Sequence, residues 1–250
     1  MNAQRSVVIT GANGGIGQAL CASFRHNGWF VIATDLQCAS QGECDKYLKG
    51  DLLRLTGDLS YREQYFIQLK QLLPRPGSLD ALINNAALQI LAPIERLSTQ
   101  QWNDTFDVNV SAPFLLVQGL LKELEETNGA VINISSVHAQ QTKSQFSAYA
   151  TSKAALIGLT RALAVELGGR IRVSVVCPAA IATPMLEAGF GQNNSGALAR
   201  LADCHPSRSL GVPEDVAGAV IMLASNASRY VTGVIVNIDG GISSRLFDPL

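Results

Sequence analysis

The sequence has little charge and no long apolar run. Only 16% of its 250 residues are Asp, Glu, Lys or Arg, and the formal net charge is −1. Nucleic acids and membrane surfaces are bound through basic patches, so this balance argues against both kinds of partner. No apolar run approaches the roughly 20 residues that span a bilayer, and the opening MNAQR leads into SVVIT without the apolar stretch of a secretory signal. We therefore expect a cytoplasmic protein that acts on a small molecule.

The cysteines are irregularly spaced and do not indicate a disulfide framework. There are five of them, an odd number, at Cys21, Cys38, Cys44, Cys177 and Cys204. This pattern favours reduced thiols in a cytosolic protein. A metal site is the alternative interpretation, and its ligands would be Cys38, Cys44, Cys204 and His205. That set lacks the closely spaced Cys-x-x-Cys pair typical of such sites, so no bound metal is predicted.

Linkers and internal repeats are also lacking, whereas short apolar runs alternate with longer helical patterns. The predicted strands are residues 6–10, 30–34, 52–56, 81–84, 130–134, 171–176 and 234–238. The predicted helices are residues 15–27, 60–73, 99–126, 149–168 and 214–225. This alternation predicts an α/β fold in which a doubly wound, seven-stranded parallel sheet of the Rossmann type carries helices on both faces. We expect one domain over residues 1–250.

One segment, residues 184–212, breaks this alternation. It contains glycines and asparagines at Gly189, Gly191, Asn193, Asn194 and Gly196. Such a composition predicts a mobile loop that covers a site and contributes to substrate selection.

A glycine-rich turn, TGANGGIG at residues 10–17, follows the first predicted strand and precedes a predicted helix. Glycines permit a tight turn and a close approach of the backbone to a pyrophosphate, and the free N–H groups of the helix then point at the anion. No Gly-Lys-Ser/Thr follows, so this is not a Walker motif. The candidate cofactor-binding residues of this turn are Gly11, Asn13, Gly15, Ile16 and Gly17.

An aspartate, Asp35, comes at the end of the second predicted strand. A carboxylate at this place accepts hydrogen bonds from the hydroxyls of an adenosine ribose and repels a 2′-phosphate. Neither Leu36 nor Asn13 supplies a cation for such a phosphate, so the sequence favours NAD over NADP. A loop-capping role for Asp35 is the alternative.

The pair Tyr149 and Lys153, in the sequence YATSK, is spaced to lie on one face of a helix. A nearby ammonium favours the phenolate and lowers the pKa of a tyrosine from about 10, so the pair is suited to general acid/base catalysis. Ser136 follows a predicted strand, and parallel sheets place their sites at the carboxyl ends of strands. We expect its hydroxyl to reach the same substrate oxygen as Tyr149.

Taken together, these motifs resemble the short-chain dehydrogenase/reductase family of the single-domain type. Further matching elements are Gly57-Asp58-Leu59, NNAA at 84–87, Asn109 in DVNVS, CPAAIATPM from residue 177 and the closing VNIDGG. They extend over almost the whole chain in the order that the family has. The resemblance implies an NAD-dependent oxidoreductase that moves a hydride between nicotinamide and a carbonyl or alcohol.

The resemblance also implies roles for individual residues. Tyr149 resembles the acid/base, and Lys153 resembles the residue that lowers its pKa and binds the nicotinamide ribose. Ser136 resembles the donor that orients the carbonyl, and Asn109 the residue that holds a water linking Lys153 to solvent. The remaining cofactor contacts implied are Asp58 and Leu59 at the adenine, with Asn85, Ala86, Pro178, Ile181 and Thr183 along the rest of the dinucleotide.

Three departures from the family pattern affect this interpretation. Ala179 stands where the family often has glycine, NNAA replaces the commoner NNAG, and the segment 36–51 is short and contains cysteines where many relatives have a full helix. The last change puts the shape around the adenosine in question.

The substrate is not identified by the sequence. His138, Gln140 and Gln89 are candidate substrate contacts, whereas His26 and His205 are expected at the surface. A 3-oxoacyl type of carbonyl reductase and a non-catalytic nucleotide-binding protein on the same fold remain alternatives. The helices at 110–126 and 149–168 are more apolar than one core face requires, which predicts a homo-oligomer, a tetramer or a dimer.

Overall fold

The computed structural model describes residues 4–37, 43–188 and 195–246 and contains a parallel sheet of seven strands. The strands are β1 (Ser6–Thr10), β2 (Phe30–Asp35), β3 (Lys46–Lys49), β4 (Ala81–Asn84), β5 (Ala130–Ile134), β6 (Arg172–Pro178) and β7 (Ile235–Ile238). Their order across the sheet is β3-β2-β1-β4-β5-β6-β7, and every neighbouring pair is parallel. The chain reverses direction across the sheet between β1 and β4, which makes the sheet doubly wound.

The helices are α1 (Gly15–His26), α2 (Leu52–Gly57), α3 (Leu59–Gln71), α4 (Thr99–Phe106), α5 (Ala112–Glu125), α6 (Ser147–Glu166), α7 (Pro184–Ala188), α8 (Ser195–Cys204) and α9 (Pro213–Ala224). Alternate residues of the central strands pack against two helical layers. In β1, Val7 and Ile9 lie in a core cluster with α1 and α9, whereas Val8 lies in a cluster with α3, α5 and α6. A sheet buried on both faces requires such continuous apolar strands. The predicted fold class is confirmed.

The third strand was predicted wrongly. Residues 52–56 form most of α2, and the strand is β3, whose Lys46 and Lys49 are exposed at the edge of the sheet. The Asp51 carboxylate accepts hydrogen bonds from the backbone N–H groups of Leu53 and Arg54, so it caps a helix at the place where the apolar run begins. An edge strand needs little apolar surface, and β3 therefore lacks the pattern that marks the buried strands.

The predicted helix over residues 99–126 is two helices joined by one π-helical turn, Asp107–Ser111. Pro113 continues the helical backbone from this turn into α5, so its missing N–H removes one hydrogen bond from the helix at this place. The π turn contains Asn109, whose side chain is fully buried. Such turns are frequent at functional sites.

The segment 184–212 contains α7 and α8 in its described part, so it is more regular than predicted. An isolated parallel β-bridge between Ile181 and Gly211 joins the end of this segment to the residues that follow β6. Of the five residues that prompted the prediction of a mobile loop, Gly196 lies in α8, whereas Gly189, Gly191, Asn193 and Asn194 lie outside the described residues, as does Cys38. Within the described ranges no helix is long and apolar enough to cross a membrane, and no three His, Cys, Asp or Glu side chains are grouped to hold a metal ion.

Candidate active site

A cleft of about 1100 Å³ runs along the carboxyl ends of the strands and crosses the switch point between β1 and β4. This is the place where doubly wound sheets bind ligands. Its walls come from the glycine-rich turn, the ends of β2, β4, β5 and β6, the first turns of α6, and the segment that carries α7 and α8.

The glycine-rich turn leaves no room for a Cβ at three of its four glycines. Gly11 has φ +64°, and a Cβ on it would lie 2.7 Å from the Ala86 Cα. A Cβ on Gly17 would lie 2.1 Å from the carbonyl oxygen of Gly11, and one on Gly15 would lie 2.7 Å from Thr183 Cγ2. Gly14 is the N-cap of α1, where no side chain caps the helix and no acidic residue lies in the first turn. The backbone N–H groups of this turn thus suit a diphosphate at the mouth of the cleft.

The Asp35 carboxylate lies at the end of the cleft that is formed by β2. One oxygen accepts a hydrogen bond from the Asn13 N–H at 2.9 Å, and the other accepts one from the Leu36 N–H at 2.7 Å. Asp51 is the other carboxylate on the cleft wall, and among the described residues no lysine or arginine lines this end. The described walls at this end of the cleft are therefore acidic.

The predicted adenine contacts Asp58 and Leu59 do not line the cleft, so this assignment is corrected. Asp58 is the N-cap of α3, where it accepts a hydrogen bond from the Tyr61 N–H and pairs with Arg54, and Leu59 is 69% exposed. The residues on the cleft wall are instead Asp51 and Leu52, which follow the true third strand. The tripeptide Gly-Asp-Leu occurs twice in the sequence, at 50–52 and at 57–59. The first copy lines the cleft, so the motif was correct but the wrong copy was chosen.

Asn85 and Ala86, as predicted, border the cleft directly after β4. The Asn85 amide donates hydrogen bonds to the carbonyl oxygens of Thr10 and Gly11 at 2.9 and 3.0 Å. The Ala86 N–H donates to the Thr10 hydroxyl at 3.0 Å. These bonds tie the end of β4 to the glycine-rich turn and hold the wall of the cleft in place.

Tyr149 and Lys153 lie on one face of α6, and both are buried. The Lys153 ammonium donates a hydrogen bond to the Ile134 carbonyl oxygen at 2.7 Å and lies 5.6 Å from the centroid of the Tyr149 ring. Ser136 follows β5 on the same cleft wall and hydrogen-bonds the Tyr149 hydroxyl. The structure therefore brings together the three side chains that the sequence paired.

Burial governs the proton affinities of these groups. It raises the pKa of Tyr149 to about 12, and the hydrogen bond from Ser136 opposes this by favouring the phenolate. Burial also lowers the pKa of Lys153 to about 8. The expected lowering of the Tyr149 pKa by the Lys153 ammonium is not found, because burial is the dominant influence and Ser136 is the group that opposes it. A positive charge added beside Tyr149 would bring its pKa down.

Asn109 is buried behind this wall and does not line the cleft. Its side chain accepts a hydrogen bond from the Leu88 N–H at 2.7 Å and donates to the Leu88 carbonyl at 2.9 Å. It also donates to the Ser152 hydroxyl at 2.9 Å, and that hydroxyl donates to the Tyr149 carbonyl. Asn109 therefore links the segment after β4 to the first turn of α6.

The remaining predicted cofactor contacts follow β6. Pro178, Ile181 and Thr183 all line the cleft, as does Ala179, which replaces the glycine frequent in the family. The Thr183 hydroxyl donates to the Ile181 carbonyl at 3.2 Å, which fixes its position opposite Gly15.

Of the candidate substrate contacts, His138 and Gln89 line the cleft, and Gln140 does not. The Gln140 amide is exposed and reaches Asn237 at 3.4 Å, while its neighbour Gln141 lines the cleft. The His138 ring stacks on Phe146 with centroids 4.2 Å apart. Burial, with a smaller effect of Lys143, lowers the pKa of His138 to about 4, so this ring is neutral.

His205 was expected at the surface and is instead only 2% exposed, and it is one of the residues that line the cleft. It directly follows α8, within the segment that was predicted to select the substrate. No local pattern marks it, because tertiary packing alone brings it to the cleft.

Known reductases are similar to this chain in sequence over nearly its full length. A family model described as enoyl-(acyl carrier protein) reductase matches residues 11–243. A 3-oxoacyl-(acyl-carrier-protein) reductase from Thermotoga maritima is 34% identical over 243 residues, which cover 94% of this chain and 96% of that protein. An acetoacetyl-CoA reductase from an Acinetobacter species is 32% identical over 250 residues, which cover 97% and 99%.

Solved structures agree with this over nearly the full length. An aldohexose dehydrogenase from Thermoplasma acidophilum, in ligand-free form, has a TM-score of 0.90 at 29% identity and covers 99% of this chain and 97% of its own. A 4-hydroxyisoleucine dehydrogenase complexed with NADH has a TM-score of 0.84 at 29% identity and covers 97% and 100%. A protein described as an NAD(P)-dependent gluconate 5-dehydrogenase from Beutenbergia cavernae, with bound NADP, has a TM-score of 0.85 at 28% identity and covers 98% of each chain. The chain belongs to the short-chain dehydrogenase/reductase family.

Proposed function

We propose that this protein is an NAD-dependent oxidoreductase that interconverts a secondary alcohol and a ketone by hydride transfer, with Tyr149 as the general acid/base. The observation that carries the proposal is one cleft that holds a buried Tyr149, its hydrogen-bonded Ser136 and the buried ammonium of Lys153 beside a glycine-rich turn suited to a diphosphate. The similarity to carbonyl reductases and alcohol dehydrogenases supports the same reaction class.

The proposed mechanism assigns one task to each side chain. The glycine-rich turn and the segment after β6 would hold the dinucleotide, and its nicotinamide would supply the donor or acceptor of the hydride. In the oxidative direction, the Tyr149 phenolate accepts the proton of the alcohol, and in the reductive direction the phenol returns a proton to the carbonyl oxygen. Ser136 donates a hydrogen bond to the same oxygen and orients it. Lys153 would stabilise the phenolate and would hold the nicotinamide ribose.

Asn109 is proposed as a positioning residue in this scheme. Its bonds to the Leu88 backbone and to Ser152 hold α6 against the segment after β4, so the Tyr149 hydroxyl keeps its place relative to the cofactor cleft. The water that would connect Lys153 to solvent, a role that the family resemblance implies for Asn109, is also part of this proposal.

NAD is the proposed cofactor because of the charge at the adenosine end. Both acidic side chains of the cleft wall, Asp35 and Asp51, lie there, and no cation accompanies them among the described lining residues. A ribose 2′-phosphate would meet the Asp35 carboxylate directly. Similar proteins with bound NADH and with bound NADP both support a nicotinamide cofactor, so the preference rests on Asp35.

Reduction of a 3-oxoacyl thioester is the second candidate function. It is favoured by the similarity to the 3-oxoacyl-(acyl-carrier-protein) reductase and to the acetoacetyl-CoA reductase. The same Tyr149, Ser136 and Lys153 would serve it, with hydride moving toward the 3-oxo carbon. A screen with both alcohols and acetoacetyl-CoA separates the two.

A homo-oligomer is proposed through the outer faces of α5 and α6. These faces carry the exposed apolar side chains Phe114 and Val165, which are 42% and 86% accessible in the isolated chain. Burial of such side chains between subunits is favourable. We also propose that residues 184–212 form the substrate-selecting segment of a single domain.

The decisive experiment measures NADH binding by fluorescence and then NAD-dependent turnover on a panel of alcohols, sugars, hydroxy acids and acetoacetyl-CoA. Tyr149→Phe is expected to retain NADH binding and to abolish turnover. Tyr230→Phe is the matched control, because Tyr230 is 99% exposed and remote from the cleft. Turnover by Tyr149→Phe at the wild-type rate would overturn the mechanism.

A further inference from the structure

The segment of residues 138–146, which precedes α6, brings an aromatic stack and a cation to the reacting end of the cleft. The His138 ring lies against the Phe146 ring, with centroids 4.2 Å apart. The Phe146 ring meets the Tyr149 ring edge-on, with centroids 6.1 Å apart. The Lys143 ammonium lies 4.9 Å from the centroid of the same Phe146 ring. Phe146 therefore contacts both this ammonium and the ring of the proposed acid/base, and all four residues line the cleft.

The positive charge of Lys143 acts on the wall of the cleft. Burial lowers the pKa of His138 to about 4, and Lys143 contributes to that lowering. A cation has this effect only when it lies near enough for its field to disfavour the imidazolium. Lys143 is exposed and belongs to the cleft wall, so a ligand that enters the cleft can approach it.

The charged side chains of the described cleft wall are separated by sign. The two carboxylates, Asp35 and Asp51, lie at the adenosine end. The two ammonium groups, of Lys143 and Lys153, lie with Tyr149 at the reacting end. Lys153 is buried and already has a task in the proposed mechanism. Lys143 is therefore the exposed cation that a substrate meets at this end of the described wall.

The backbone on both sides of Lys143 is tethered. Gln145 has φ +73°, a left-handed conformation that a residue with a Cβ seldom adopts. Its carbonyl oxygen accepts a hydrogen bond from the Ala92 N–H at 3.1 Å. The Gln141 amide donates to the Ser243 carbonyl oxygen at 3.2 Å. Backbone strain persists only where the surroundings fix the chain, and it is concentrated at active sites and ligand clamps.

The groups around Lys143 in the chain favour a carboxylate over a phosphate as its ligand. Its neighbours Thr142 and Ser144 line the same wall and carry uncharged hydroxyls, which can also donate to an anion. Phosphate groups carry up to two charges and are matched best by the planar fork of arginine. No arginine lines the described part of the cleft. One ammonium beside hydroxyls complements the single charge of a carboxylate.

We propose that Lys143 is a specificity-determining residue whose ammonium binds a carboxylate of the substrate, so the substrate pair is a hydroxy acid and the corresponding oxo acid. This inference rests on the proposed oxidoreductase function. In oxidation, the carbinol carbon loses a hydride to NAD and the hydroxyl proton goes to Tyr149, so the products are the oxo acid and NADH. The carboxylate is unchanged in this step and serves only to bind and orient the substrate.

Two substitutions separate the charge of Lys143 from its shape. Lys143→Met removes the charge and keeps a long side chain that can pack on Phe146. Lys143→Arg keeps the charge. Lys122→Met is the matched control, because Lys122 is exposed on α5 and does not line the cleft.

The first test measures NADH-dependent reduction of 4-oxopentanoate, 5-oxohexanoate and 6-oxoheptanoate, each against its primary amide, which has nearly the same shape without the charge. For at least one pair, the wild-type kcat/KM should favour the acid by about fivefold or more, and about 0.5 M salt should reduce this preference. Lys143→Met should lose the preference mainly through KM, Lys143→Arg should retain it, and Lys122→Met should leave it unchanged. The inference is overturned if no acid is preferred, if salt has no effect, or if the preference survives in Lys143→Met.

The second test needs no turnover, so it separates failure of this inference from failure of the proposed function. The Tyr149→Phe variant, with NADH present, is titrated with the same acids and amides, and binding is followed by ligand-observed NMR. At least one acid should bind more tightly than its amide, and addition of Lys143→Met should remove the difference. If this difference is found in a protein that reduces no ketone, the proposed function fails and the inferred carboxylate site stands. Equal binding of acids and amides overturns the inference whatever the turnover.

Discussion

The Lys153 ammonium lies 5.6 Å from the centroid of the Tyr149 ring, and its hydrogen bond goes to the Ile134 carbonyl oxygen instead of to a carboxylate. Within the described part of the chain no acidic side chain pairs with it. The charge of Lys153 is therefore stabilised by a backbone carbonyl oxygen, whereas burial opposes it.

The first prediction concerns Ser136 and the pH dependence of oxidation. Alcohol oxidation requires the Tyr149 phenolate, so its rate rises with pH through the pKa of that group. The Ser136 hydrogen bond lowers this pKa, so Ser136→Ala should raise it and move the rising limb of kcat/KM to higher pH. At neutral pH, the loss of a donor to the substrate oxygen should add a rate loss of about 10²–10³.

Ser135→Ala is the control for this pH shift, because the Ser135 hydroxyl donates to the Lys153 carbonyl and not to Tyr149. Its pH profile should keep the wild-type midpoint. A Ser136→Ala profile with an unchanged or lower midpoint would contradict the assignment of the titrating group.

The residues that the sequence located correctly are those linked by local spacing. Tyr149 and Lys153 share a helix face because they are four residues apart, and the glycine-rich turn lies directly between β1 and α1. Such local relationships can be predicted from the sequence without the tertiary structure. The apolar strands buried on both faces were equally visible, which is why the fold class was predictable.

The residues that the sequence misplaced depend on distant contacts. Asp51 and Asp58 occur in identical tripeptides, and only the pairing of β3 with β2, which puts Lys46 beside Ile32, brings Asp51 to the cleft. His205 likewise reaches the cleft because Ser207 bonds to Gly240 at the far end of the chain. No periodicity within the sequence encodes either contact.

The second prediction concerns cofactor selectivity. Asp35→Asn keeps an oxygen that can accept from the Asn13 N–H, but it removes the negative charge. Hydrogen bonds to charged groups contribute about 1.5–3 kcal/mol, so kcat/KM with NAD should fall by roughly 10- to 100-fold. With the repulsion gone, activity with NADP should rise.

Adding Leu36→Arg to Asp35→Asn should increase use of NADP further, because Leu36 is 55% exposed and can project a cation beside the ribose. Leu36→Gln is the uncharged control. Steady-state kinetics with both cofactors test the prediction, and a wild-type protein that already prefers NADP would refute it.

The third prediction compares two glycines of the same turn. A Cβ on Gly17 would lie 2.1 Å from the Gly11 carbonyl oxygen, whereas a Cβ on Gly14 would come no closer than 3.5 Å to that atom. Gly17→Ala should force a backbone shift that costs about 1–3 kcal/mol or more and should weaken NADH binding. Gly14→Ala should unfold within a few degrees of the wild type. Equal thermal midpoints for the two variants would show that the turn accommodates a Cβ at Gly17, contrary to this prediction.

The last prediction concerns the free energy that burial of Lys153 costs. Its pKa falls from the ordinary 10.5 to about 8 on folding, so the unfolded chain binds the proton more tightly than the native protein. The cost is fully present below pH 8, and it is relieved as pH rises toward 10.5. The difference corresponds to about 3 kcal/mol at neutral pH.

Lys153→Met should therefore unfold at higher urea concentration than the wild type at pH 7, even though it loses the bond to Ile134, and this advantage should shrink at pH 10. Lys122→Met is the matched control on an exposed lysine and should show the same difference from the wild type at both pH values. The measurement is urea unfolding of the cofactor-free protein at the two pH values. If Lys153→Met is destabilised equally at both, the ammonium is not held at a desolvation cost, and its place beside Tyr149 must be stabilised by interactions other than those described.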